Sequence, residues 1–295
     1  RNKYKKHWDN SLGCFIEWWT LQDYSMFSFF KKKLRSVLSP SPADTPALPD
    51  QPASAAAAAA SQAPASPAAA PSTPATPAAP LEPPAASGGW CRRCGRTHLL
   101  SSGDAWGECV RLMAQLQGCG RIDLATAAPA ADPRCATGPL FAPGGGKMFG
   151  VLCCRDRHGR RVVLRAFSGQ YGGRWQVPGW VGPVHDPAVF DALTGAADPE
   201  IKRLGAAIAR APAGSASRRD LVRRRRALSR DLMERLHDLY HLVNFRGERR
   251  SLVEVFHGPG RPPSGAGDCC GPKLLQHAAT NGLVPESLAE FFWGE

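Results

Sequence analysis

A glycine-rich turn, Ser264-Gly265-Ala266-Gly267-Asp268, leads into two adjacent cysteines, Cys269 and Cys270, followed by Gly271-Pro272-Lys273-Leu274-Leu275. Pro272 suits the first turn of a helix, where its missing N–H is not needed. The spacing therefore puts both thiols at a helix N-terminus, where the macrodipole and unpaired backbone N–H groups favour a thiolate. Such a sulfur suits a metal ligand or a reactive group, which makes Cys269 and Cys270 candidate catalytic residues. Cys91, Cys94, His98 and Cys109 carry the donor types of half a zinc site if the fold brings them together, and the alternative is a set of free thiols. Zinc is the one candidate cofactor, and none is required by the rest of the sequence. Ten cysteines, two pairs of them adjacent, also leave open a thiol redox or metal-handling protein.

A second kind of chemistry is suggested by Arg218, Arg219, Arg223, Arg224, Arg225, Arg226 and Arg230, which crowd a segment with leucine periodicity, and by Lys273 in the cysteine turn. Guanidinium groups bind phosphates bidentately and make binding fall with salt. The formal net charge of +12 over 295 residues points the same way, to RNA or another polyanion as partner. Asp220, Asp231, Glu234 and Asp238 interleave, so a solvated face of mixed charge is the competing reading. No apolar run reaches the roughly 18 residues needed to span a bilayer, since Cys14–Trp19 is short and broken by Glu17. With no secretory signal and irregular cysteines, reduced thiols and an intracellular location are expected, the organelle being open.

The elements that must position these groups lie in the last two thirds of the chain. Residues 1–38 mix aromatics with lysines and read as a short amphipathic helix on a membrane or RNA surface, or as an untranslated or mispredicted first exon. Residues 39–89 are almost wholly Ala, Pro, Ser and Thr, a disordered linker that cannot bury enough apolar surface to offset its ordering entropy. One globular domain is expected over 90–295. Within it the periodicity predicts a helix over 104–117, a β-hairpin of 147–155 and 161–168 around the turn 156–160, helices over 200–211 and 217–243, a helix over 272–280 and a strand over 288–293. Cys153 and Cys154 should face opposite sides of their strand. Trp175 and Trp180 offer either a stacking platform for bases or core plugs, the core being preferred. The result is an α/β (α+β) order, α-β-β, a helical-hairpin insert at about 200–243, then α-β.

That order resembles the cytidine-deaminase fold, in which an H-x-E or C-x-E motif at this helix start provides a zinc ligand and a proton-carrying Glu. Toxin-type members have Cys-Ala-Glu-Pro-Lys where this chain has Cys269-Cys270-Gly271-Pro272-Lys273. Gly271 stands in the Glu position and cannot move a proton, so the resemblance implies a deaminase-like α-β-β-α-β shell without deaminase chemistry. A longer resemblance covers about 90–295. Gly146–Leu152, Leu164–Val184, Leu239–Leu252 and Pro263–Gly294 are similar to a companion domain found ahead of the catalytic module in some bacterial RluA-type RNA pseudouridine synthases, and to stand-alone plant and algal proteins. It implies a non-catalytic, RNA-associated accessory domain, with a synthase module as partner. In that family a further cysteine pair follows, so the domain is expected to be truncated at its C-terminus. The enzymatic alternatives are a pseudouridine synthase using Asp123, since Gly120–Thr126 nearly spells G/H-R-L-D-x-x-T before a loop, or a zinc-dependent hydrolase using Cys269 or Cys270.

Overall fold

A computed structural model of the chain describes residues 82–91, 95–256 and 260–295. In chain order the elements are β1 (Ser87–Cys91), β2 (Arg96–Leu100), α1 (Gly103–Cys119), three short 3-10 turns between Ala128 and Phe141, β3 (Lys147–Arg155), β4 (Arg161–Phe167), α2 (Pro187–Arg210), α3 (Ala216–His237), β5 (His241–Val243), β6 (Arg249–Ser251), α4 (Leu252–Val255), α5 (Cys270–Thr280) and β7 (Val284–Trp293). The mixed α/β class follows, with helices packed on small antiparallel sheets.

The central sheet runs β4-β3-β7, antiparallel throughout, and Phe149↔Phe167 and Gly150↔Glu290 fix its register. Both faces of β3 are covered, which is why Lys147–Arg155 reads as a nearly continuous apolar run rather than an alternation. On one face Phe149, Val151 and Cys153 pack with Cys109, Leu112 and Leu116 of α1. On the other, Leu152 and Cys154 meet Leu274, Leu275 and Ala278 of α5. Cys153 and Cys154 therefore enter different cores, as the pleat requires. A third cluster gathers Tyr240, Leu242, Leu252, Val255 and Ala266 beneath the cysteine turn.

Five boundaries differ from the sequence expectation, one being β7, which begins at Val284 rather than at 288. A β1–β2 hairpin precedes α1, and its first strand takes in Ser87, Gly88 and Gly89 of the Ala/Pro-rich stretch. The first helix of the insert begins at Pro187, not near 200, because Asp186 accepts the Ala188 N–H and caps it, and Phe190 in its first turn packs against Trp175 and His185. The second helix stops at His237. Leu239 and Val243 continue the leucine step, yet burial of Tyr240 and Leu242 in the third cluster and the Asn244–Gly247 turn make this stretch β5–β6 instead. At α5 the helix starts at Cys270, with Cys269 as its N-cap in extended conformation. Among the described residues no helix is long and apolar enough to cross a membrane.

Candidate functional site

The start of α5 is built by two glycines and one strand. Gly267 has φ 92°, and a Cβ on it would lie 2.6 Å from the Tyr240 ring, so only glycine lets the turn close here. Gly150 on β3 plays the same part from below: a Cβ there would come within 2.6 Å of the Cys270 Cβ and 3.3 Å of Glu290 Cγ. The helix start thus rests directly on the backbone of the central strand, with Glu290 of β7 beside it. The Gly271 N–H donates to Glu290 Oε1 at 2.9 Å.

That contact changes the reading of Gly271. The residue itself carries no carboxylate, but a strand 19 positions later brings one to it. Sequence reasoning missed Glu290, although one signal was present: a charged residue in the middle of the apolar run Leu288-Ala289-Glu290-Phe291-Phe292-Trp293. Burial pushes the Glu290 carboxyl up to about 7, against the opposing pull of the Gly271 N–H.

The thiols behave opposite to the expectation of a helix-activated thiolate. Burial first, then the Glu290 and Asp268 carboxylates, push the Cys269 thiol up to about 12, and Lys273 only partly opposes them. Burial also pushes the Cys270 thiol well above its ordinary range, and its Sγ donates to the Met148 carbonyl at 3.3 Å. The helix N–H that would have steadied a thiolate is occupied by Glu290. At neutral pH the site is a titrating carboxyl flanked by protonated sulfurs, which suits proton transfer rather than sulfur nucleophilicity.

Lys273 requires a correction as an RNA contact. It is 1 % exposed, its Nζ donates to the Phe167 and Gly169 carbonyls at 2.9 Å each, and it lies 5.0 Å from the Phe167 ring centroid. One helical turn into α5 places it on the sheet-facing side, where burial lowers its ammonium below the usual range. Lys147 holds the Ser168 and Gln170 carbonyls from β3, so two ammonium groups brace one loop. Beside them Asp268 accepts from the Tyr240 hydroxyl at 2.9 Å and stands 3.6 Å from the buried His185 Nε2. Trp175 packs edge-on to His185 with its Nε1 on Asp191, and Trp180 donates to the Ile122 carbonyl. Both tryptophans are core plugs rather than a platform for bases.

Asp123 is 2 % exposed and clamped. Burial alone would raise its carboxyl, but the Arg121 guanidinium at 2.9 Å and the Asp132 N–H hold it below the ordinary carboxylate range. Arg121 also grips the Asp123 and Thr126 carbonyls, so the near-motif Gly120–Thr126 forms a self-bonded loop. Of the four candidate zinc ligands, Cys94 and the Cys91 side chain lie outside the described residues. His98 is on β2, its imidazole lowered by burial and by Arg96. Cys109 faces the sheet from α1, donates to the Ala289 carbonyl at 3.5 Å, and is pushed up to about 12 by burial. Among the described residues no three His, Cys, Asp or Glu side chains converge as metal ligands would.

The seven arginines divide into structural and displayed groups. Arg218, on the leucine side of α3, donates to the Ile208 and Ala211 carbonyls that end α2, which corrects its expected phosphate role. Arg225 turns toward Gly205 of α2. At about 100° per residue, Leu221, Leu228, Leu232 and Leu236 share a sector of about 80°, while Arg219, Arg223, Arg226 and Arg230 share one of about 60° on the opposite side. All four of these arginines are exposed, as is Arg224 on the flank. Arg219 rests on the Gly214 carbonyl and Arg223 on Asp220 at 2.9 Å, both at the surface. No protein-family model matches the chain, and neither a curated protein nor a solved structure matches it significantly.

Proposed function

We propose that the chain is an RNA-associated accessory domain of the kind that accompanies pseudouridine synthases, acting by holding RNA or a partner enzyme. The observation that carries this reading is the solvent-facing row Arg219, Arg223, Arg226 and Arg230, displayed by a helix whose opposite side is committed to packing. The net charge of +12 and the sequence resemblance support it. Filter binding of the full chain to structured RNA across a salt series tests it. Binding that weakens steeply with salt is expected, and undetectable binding at low salt overturns it.

A second reading is an acid–base enzyme of hydrolytic, deaminase-like type, favoured by the Gly271 N–H to Glu290 bond. Its fold would be the deaminase-like one, a reading supported by α5 starting over the central strand of the β4-β3-β7 sheet. In it Glu290 would carry the proton that Gly271 cannot. Incubating the chain with RNA and mapping uridine formed from cytidine separates the readings. Turnover that disappears in Glu290→Gln establishes the second. Pseudouridine formation lost in Asp123→Ala would instead make the chain a synthase.

A further inference from the structure

We infer that the arginine row of α3 is a docking surface for the phosphate backbone of double-stranded RNA, read by shape and charge and not by sequence. The inference rests on the RNA reading above and narrows it to one surface and one form of the polymer.

Three features of the helix lead there. First, the row is continuous: Arg219 to Arg230 spans eleven residues of one unbroken helix, about 16 Å at the usual rise. Second, the surface lacks the aromatic platform on which unpaired bases are usually held. Proteins that bind single strands stack successive bases on aromatic side chains. The helix carries no Phe, Tyr or Trp over Ala216–His237, and the two loop tryptophans are spent in the core. What remains is a set of guanidinium forks, which match phosphate oxygens bidentately and are indifferent to the base attached.

Third, the row is bordered on one side only by acid. Asp220, Asp231 and Asp238 fall within about 20° of one another and lie next to the arginine sector. The exposed Asp231 and Asp238 carboxylates would repel a flexible polyanion that wrapped around the helix, and leave one open line of approach along the row. A rod with its phosphates in a fixed line can lie along it without crossing the acidic flank. Duplex RNA is recognised in this way, through backbone and shape, because its deep major groove hides the base edges from side chains. Of the acids beside the row, Asp220 pairs with Arg223 at 2.9 Å at its edge, and Glu234 is drawn off by Arg261 at 3.0 Å. Arg218 and Arg225 belong to the same helix and carry the same charge, yet they face α2, so they serve as internal controls.

The test measures binding of the full chain to a duplex RNA, to either of its single strands, to a DNA duplex of the same sequence and to anionic phospholipid vesicles, each across a salt series. Duplex RNA of any sequence should bind most tightly. Replacing Arg219, Arg223, Arg226 and Arg230 together by Gln should weaken it by about 10- to 100-fold and lower the salt slope by roughly one per arginine removed. The same change at Arg218 and Arg225 should alter affinity by no more than about threefold, since neither reaches the displayed face. Circular dichroism of the quadruple variant should match that of the original, because all four side chains are in solvent. Tighter binding to a single strand, to DNA or to vesicles overturns the assignment, as does duplex binding that survives the quadruple change. If no RNA form binds at low salt, the RNA reading itself has failed; if RNA binds with the row removed, only the surface is wrong.

Discussion

The start of α5 and the outer face of α3 are both rich in ionisable groups, and they use them in opposite ways. Around α5, Lys273 is enclosed and Glu290 half-buried, each tied to backbone groups, and both are pushed toward their neutral forms. On α3, Arg226 and Arg230 are exposed to solvent. Enclosed charge shapes the backbone and responds to pH; displayed charge leaves the fold almost untouched and remains available to a partner. Substitutions in the two regions should therefore separate stability from binding.

The largest effect is expected at Lys273. Replacing it by Met keeps most of its volume but strands the Phe167 and Gly169 carbonyls, which should cost about 2–4 kcal/mol in urea denaturation. A loss near zero would show that the ammonium is dispensable to the loop, and the contrast with α3 would then fail at its strongest point.

Glu290 sharpens the comparison through pH. Its carboxyl, raised from about 4.5 to about 7, keeps a proton in the folded state that the unfolded chain has already released, so stability falls as pH rises through that window. The loss should reach up to about 3 kcal/mol and be complete above about pH 7. Glu290→Gln retains an acceptor for the Gly271 N–H, and should flatten this dependence and raise the melting temperature at pH 8. An unchanged pH profile would mean that the carboxyl titrates as an ordinary surface acid. Thiol labelling at pH 8 adds a related check: Cys119, exposed at the end of α1, should react well before Cys269, whose thiol is pushed up to about 12.

What the sequence disclosed follows from how local each feature is. The β3–β4 hairpin, α1, α5 and β7 were legible because each carries its own periodicity and turn residues. The start of α2 was not, since Gly195 and Pro199 interrupt the short apolar set Val189, Phe190 and Leu193 and the helix start is marked only by its Asp186 cap. Nor was the end of α3, where burial of Tyr240 and Leu242 overrode a leucine step that continued past it. The candidate site was half legible. The turn and its thiols stood out, but their protonation depends on Glu290, which is remote in sequence and adjacent only through the β3–β7 register. The roles of Lys273 and Arg218 were hidden for the same reason: composition shows the charge, and only packing shows which way it points.

Arg218 and Arg226, eight residues apart on one helix, offer the finest test of that last point. Arg218→Ala removes the donor that satisfies the Ile208 and Ala211 carbonyls at the end of α2, a C-terminal capping contact, and should cost about 1 kcal/mol. Arg226→Gln removes the same formal charge from the solvent side and should leave the melting temperature within about 2 °C of the original, as surface changes away from packed features do. The two should exchange rank when RNA binding is measured, Arg226→Gln weakening it and Arg218→Ala leaving it nearly intact. Equal effects of both on affinity would mean that RNA senses only the overall charge of α3, and the division of its arginines into a packing side and a displayed side would carry no functional weight.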